Sequence, residues 1–241
     1  MNLSVKTPST RKVLTVSFLV NILDVITNLT VYLLTHSATI FSGLMQGIAD
    51  LVTSTFLLIG LSSSKRPPES THPFGHGKES FFWSLMATIF MFGVSSSLSI
   101  VMGFNQLTSP AEISAVYIAI FVSLVSLITN SYALFLSVAK ISRKGISFLQ
   151  SYKKSSRTAI KTQFISDLIG TVSAIIGISS LTTYLFTKNP LFDALGAIFI
   201  GLTLAGLSLV LFWEIKGYLV GHAASPEMQT KIIHIVESVK G

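Results

Sequence analysis

Residues 65–83 read KRPPESTHPFGHGKESFFW. This stretch carries two of the five histidines, three of the seven prolines and five charged residues, and an apolar run flanks it on each side. If it is a short stiff loop between two membrane-spanning helices, the chain is a polytopic membrane protein. Composition supports that reading. Half of the 241 residues are hydrophobic and only 11% are charged, against about 25% in a soluble domain. Mean hydropathy is +0.68. So few charges would not cover the surface of a soluble fold of this size.

Outward from the loop, a helix needs about 20 predominantly apolar residues to cross the hydrocarbon. Six segments qualify, at 13–34, 38–61, 81–107, 112–138, 159–186 and 191–220. The fold class is therefore all-α, a polytopic membrane protein of six transmembrane helices. The expected organisation is a tail over 1–12, a transmembrane domain over 13–222, and over 223–241 the start of a truncated or missing cytoplasmic domain. In that tail Ser225 is an N-cap candidate and Pro226 suits a first helical position. The first apolar run is too long for a signal-peptide core and lacks a small-residue cleavage site.

Sixteen of the seventeen lysines and arginines fall before the first span, between spans two and three, between four and five or at the mouth of five, and late in or after the sixth. Lys188 alone falls on the other side. That bias places both termini and the 65–83 loop in the cytoplasm, or on the matrix side of an organelle. It also accounts for the formal net charge of +7 without nucleic acid; the basic linker over 140–161 reads as a solvated loop near anionic lipid headgroups. The absence of cysteine excludes disulfides and thiolate metal sites.

Ionisable residues inside a span are expensive and mark function by default. Glu112 falls at an interface, Asp193 at the entry of the sixth span where the helix dipole favours a carboxylate, and Glu214 beside Lys216 near the surface. These three read as structural. Asp50 and Asp167 lie within spans two and five, and each has a glutamine four residues earlier, Gln46 and Gln163. Positions i and i+4 share a helix face, so each helix presents an amide oxygen and a carboxylate. Two such faces opposed would offer four groups to a dehydrated divalent cation, and oxygen-only ligation suits Mg, Mn or Ca. The plain alternative is glutamines bonding to neighbouring helices beside protonated carboxylates. Asn21 and Asp24 in span one are candidate helpers. In the loop, Glu69, His72 and His76 form a zinc-type ligand set, held by prolines and by glycines that permit tight turns; a rigid connector is the alternative. The nearest text to an intramembrane aspartyl hydrolase motif is GIAD, which lacks the second glycine of G-x-G-D, so an enzyme is not expected.

RPPESTHPFGHGKESFFWSL resembles the segment joining spans two and three of the cation diffusion facilitator family, in the branch whose loop reads R-P-P-D-x-x-H-P-F-G-H-G-[RK]-E-x-x-F-W-S. FDALGAIFIGLTLAGLSLVLFWEIKGYLVGHAASPE is similar to that family's last span and exit, and the seventeen residues from Asp50 to Pro67 match the family's spacing. The resemblance implies a secondary transporter exporting divalent cations, Zn or Mn, from the cytoplasm in exchange for protons. It implies a homodimer among membrane lipids, in a bacterial inner membrane or alternatively an organellar one, with the metal as substrate and no organic cofactor. It carries the transport site onto Gln46, Asp50, Gln163 and Asp167, and a loop site onto Glu69, His72 and His76. The family's transport site is usually [DH]-x-x-x-D on span two and [HD]-x-x-x-D on span five, so Gln46 and Gln163 are departures. They motivate the alternative of a non-transporting partner subunit that dimerises with an active exporter.

Overall fold

A computed structural model of the chain describes residues 9–142, 145, 147–155, 158–221 and 226–238. Lys6, Arg143, Lys144, Arg157, Ser225 and Lys240, all part of the sequence reading, lie outside the described residues. Among the described residues the regular secondary structure is all helical, apart from a single isolated antiparallel bridge between Glu69 and His72. Six helices are long and apolar enough to cross a membrane. They are α1 (Thr10–Thr35), α2 (Ala38–Ser63), a third span over Glu79–Thr108, α5 (Val116–Ile141), α7 (Thr158–Thr187) and α8 (Leu191–Val220). The third span comprises α3 (Glu79–Phe90), a π-helical turn (Met91–Ser96) and α4 (Ser97–Thr108). A short helix α6 (Phe148–Lys154) lies between α5 and α7, and α9 (Pro226–Ser238) ends the described chain.

The helices are apolar outside and polar inside, as lipid requires. On α1, Leu19, Leu23, Ile26 and Leu33 are exposed, while Ser17, Asn21, Asp24 and Asn28 are buried at spacings of four and three. α5 repeats this with Ser123, Ser126, Asn130, Ala133 and Ser137 inside. Small and polar residues let helix backbones approach and bond where hydrophobic segregation gives no drive. Gly103 and Gly201 do so between α4 and α8. A methyl on Gly103 would lie 2.8 Å from Ala194 O, and one on Gly201 would lie 3.1 Å from Ser96 O. Of the small residues over 93–99, Ser95, Ser96 and Ser99 are buried within the chain, while Gly93 and Ser97 are exposed.

Packing sets the direction of the spans. Leu14 at the start of α1, Leu57 near the end of α2 and Ala159 at the start of α7 form one cluster. Val31, Ile40, Val116 and Tyr184 form another at the opposite end. Arg11 and Lys65 share a groove at the first end, so the basic end expected from the charge bias is a real face of the bundle. Lys188 caps α7 at the other end with a left-handed φ of 55° and its N–H on Tyr184 O.

Three expectations change. The fourth span starts at Val116 rather than 112, because Ile113 N–H donates to the Tyr184 hydroxyl (2.9 Å) and Ser114 N–H to Thr35 O, holding that segment as a loop. The linker is not simply solvated: α6 packs Phe148 and Tyr152 on Phe164, and Lys161 is buried. Glu214 does not stand as a surface partner of Lys216. It accepts from Lys161 Nζ at 2.5 Å and from the Tyr152 hydroxyl at 2.8 Å, while Lys216 lies over the Trp213 ring. Burial and the Glu214 carboxylate push the Tyr152 phenol far above its usual range, so it remains a donor.

Candidate metal centre

The cytoplasmic-type loop folds on itself. Glu69 and His72 exchange both backbone N–H···O bonds, at 3.2 and 3.0 Å. Gly75 then turns the chain in the left-handed region at φ 73°, its N–H on His72 O, against Pro68. This brings His72 Nδ1 to 3.3 Å and His76 Nε2 to 3.2 Å from Glu69 Oε1. One ligand atom from each residue lies within 4.8 Å of the others. Tetrahedral ligands at zinc bond lengths sit about 3.3 Å apart, so two of the three spacings already suit a small metal. Hydrogen bonds from Thr71 first, then the two histidines, hold the Glu69 carboxyl below its ordinary range. Glu79, which the sequence reading passed over, places Oε1 at 3.8 Å from His76 Nδ1 and accepts from Trp83 Nε1 at 2.9 Å. Its i+3 spacing from His76 was the available signal.

The second centre lies between α2 and α7. Asp50, Gln163 and Asp167 are all buried. Ser166 donates to Asp50 Oδ1; Ser137 donates to Asp167 Oδ2 at 2.6 Å and Gln163 Nε2 to Asp167 Oδ1 at 2.7 Å. A chain of bonds continues through Gln163 Oε1 to Ser54 (3.3 Å) and Asn21 Nδ2 (3.0 Å). Asn21 therefore belongs to this centre, joined to Gln163 through Ser54. Ser166, which bonds to Asp50, is the residue before Asp167, so the two carboxylates lie at the same level of the α2–α7 contact. Each is held by neutral donors, and the buried Lys161 is committed to Glu214. Two anions without a cationic partner in a low-dielectric interior favour a bound cation or protons.

The i, i+4 reading expected an amide oxygen beside each carboxylate. Gln163 turns its amide nitrogen, not its oxygen, to Asp167. Gln46 is buried one turn before Asp50 and lines a small cavity with Asp24. Ser137, Ser166 and Asn130 were missed by the sequence reading. The three-and-four spacing of Ser123, Ser126, Asn130 and Ser137 along span four was the signal that would have found two of them. Asp193 does not serve its own helix. Its carboxylate accepts from the Ser37 hydroxyl (2.6 Å) and from the N–H groups of Ala38 (2.7 Å) and Thr39 (3.0 Å), so it caps α2 from α8.

Fold and site together define a multi-pass membrane protein with paired carboxylates buried between two of its spans. Residues 14–220 match the cation efflux transmembrane domain, and the chain belongs to that family, a transporter family rather than an enzyme class. It is 26% identical to the mitochondrial proton-coupled zinc antiporter SLC30A9 of Xenopus laevis, over 98% of this chain and 43% of that protein. It is 24% identical to metal tolerance protein C4 of Arabidopsis thaliana, over 84% of this chain and 45% of that protein. It is 27% identical to the cation-efflux pump FieF of Yersinia pestis, over 86% and 65% respectively. The chain thus spans less than half the length of the first two relatives.

Proposed function

We propose that the protein is a secondary transporter that exports a divalent metal cation, zinc or manganese, from the cytoplasm in exchange for protons. The observation that carries this is the Asp50–Asp167 pair: two buried carboxylates on facing helices, bonded only to neutral groups. The ion enters past Glu69, His72 and His76 at the basic end, sheds water, and binds between α2 and α7. Ionised carboxylates hold the metal; protonated ones release it. The likeness to SLC30A9, a proton-coupled zinc antiporter, supports both zinc and the proton. The same reading carries a homodimer, and a bacterial inner membrane or an organellar one.

The test is metal uptake into inside-out vesicles holding the purified protein, across a panel of Zn, Mn, Fe and Ca with an imposed pH gradient. Asp50→Asn and Asp167→Asn should each abolish uptake while leaving the protein folded. Uptake unchanged in both variants overturns the proposal. The alternative of a non-transporting partner subunit draws on Gln46 and Gln163 standing where the family's site usually has Asp or His; it predicts no metal binding by the protein alone in calorimetry, with binding restored by Gln46→Asp plus Gln163→His.

A further inference from the structure

In the loop triad, His76 is buried, while Glu69 and His72 are exposed. The two nitrogens of its ring meet two different carboxylates. Nε2 lies 3.2 Å from Glu69 Oε1, within the ligand set. Nδ1 faces Glu79 Oε1 at 3.8 Å, too far for a hydrogen bond, and is buried with no hydrogen-bond partner. The ring's chemistry accounts for that gap. A neutral imidazole carries its proton on one nitrogen only. With Nε2–H donated to Glu69, Nδ1 presents a lone pair, which a carboxylate does not bond. With a cation on Nε2, the proton sits on Nδ1, and Glu79 accepts it after an approach of about 1 Å.

Glu79 is held in place for this. It is the first residue of α3, and its N–H donates to His76 O at 3.0 Å. Its other oxygen, Oε2, accepts from Trp83 Nε1 at 2.9 Å, one turn further on. Trp83 is fixed in turn against α2. Its ring lies 5.3 Å from that of Phe56, and a methyl on Gly60 would lie 3.0 Å from its Cβ. One oxygen of Glu79 is thus anchored to the α2–α3 contact while the other faces His76. The helix dipole favours a carboxylate in the first turn, but it does not explain why a buried ring nitrogen is set against it.

We propose that Glu79 is a positioning residue of the loop site, taking the Nδ1–H of His76 so that Nε2 is kept free for the cation, with Trp83 as its anchor. Histidines that ligate metals commonly give their second N–H to a carboxylate, which fixes the ring and makes the ligating nitrogen more basic. The proposal rests on the reading of Glu69, His72 and His76 as a cation site.

The test is zinc titration of the full chain in lipid nanodiscs by calorimetry, in an Asp50→Asn, Asp167→Asn background that leaves the loop to be read by itself. Expected is one loop ion, lost in His76→Gln. Glu79→Ala should weaken it at least about tenfold, the loss usual for such a partner. Glu79→Gln, which retains one acceptor oxygen, and Trp83→Phe, which removes only the anchor's N–H, should fall between. With ¹⁵N-labelled histidine, the zinc-loaded chain should show a hydrogen-bonded His76 Nδ1–H that Glu79→Ala loses. Unchanged affinity in Glu79→Ala overturns the proposal and leaves the loop reading standing. Weaker binding with the His76 signal unchanged makes Glu79 merely structural and also overturns it. No zinc at the loop, or binding indifferent to His76→Gln, overturns the loop reading and the proposal with it.

Discussion

Replacing Asp193 by alanine should destabilise the protein more than its place at the entry of the sixth span suggests. The carboxylate is inaccessible to solvent, and its three bonds go to Ser37, Ala38 and Thr39, at the start of a different helix. Without it, the Ala38 and Thr39 N–H groups lose their acceptor in a place where water does not reach. Each orphaned donor costs about 1–3 kcal/mol, and relief of the buried carboxylate's own desolvation returns part of that. The net loss is about 3 kcal/mol. At about 2–4 °C per kcal/mol for a chain of this size, the melting midpoint should fall by roughly 6–12 °C. Asp193→Asn retains one acceptor oxygen but sets an NH₂ against a backbone N–H, so it should lose about half as much. The chain has no cysteine, so thiol dyes are useless. Intrinsic fluorescence of Trp83 and Trp213 during a thermal ramp in detergent reports the transition instead. A midpoint for Asp193→Ala within about 2 °C of the unmodified protein would refute the cross-helix cap.

Three other outcomes follow from the same structure. Lys161→Met should cost about 1–3 kcal/mol by leaving Glu214 unpaired, less than for a fully buried pair because Glu214 is 24% exposed; adding Glu214→Gln should recover much of it in the same melting assay, and no recovery sinks the pairing. Gly103→Ala gains about 0.5–1 kcal/mol of helix propensity but drives a methyl to 2.8 Å from Ala194 O; overpacking of about 1–3 kcal/mol should win, and a stabilised variant would contradict the close α4–α8 contact. Thr71→Val removes the bond that does most to hold the Glu69 carboxyl down, so its titration, followed by carboxyl carbon NMR, should move up toward the ordinary value. Because that carboxyl is depressed in the folded loop, its stabilising effect is present above its free pKa and lost as pH falls through the folded value; an unchanged Glu69 titration in Thr71→Val refutes the assignment.

The spans were legible because lipid leaves a chain little choice: a hydrocarbon-crossing helix must be long and apolar whatever packs beside it. The loop triad was legible because its groups lie within eight residues of one another, and a local turn through Gly75 is enough to bring Glu69, His72 and His76 together. Residues that meet across the bundle were not. Ser126 and Asn130 reach Asp24 from more than a hundred positions away, and Asp193 reaches Ser37 across 156. Periodicity marks the inner face of a helix but not the neighbour it meets.

Gln46 and Gln163 show the division most sharply. Each stands four residues before a buried aspartate, and by spacing alone they are equivalent. The bundle makes them different because α2 runs toward the basic end and α7 runs away from it. Four residues before Asp50 is therefore a turn farther from the basic face, in the Asp24 cavity, while four residues before Asp167 is a turn nearer to it, in the chain of bonds through Ser54 and Asn21. Sequence alone determined that the membrane interior holds two Gln–Asp pairs; the antiparallel packing of α2 and α7 decided that Gln46 reaches the cavity beside Asp24 while Gln163 bonds to Asp167 and Ser54.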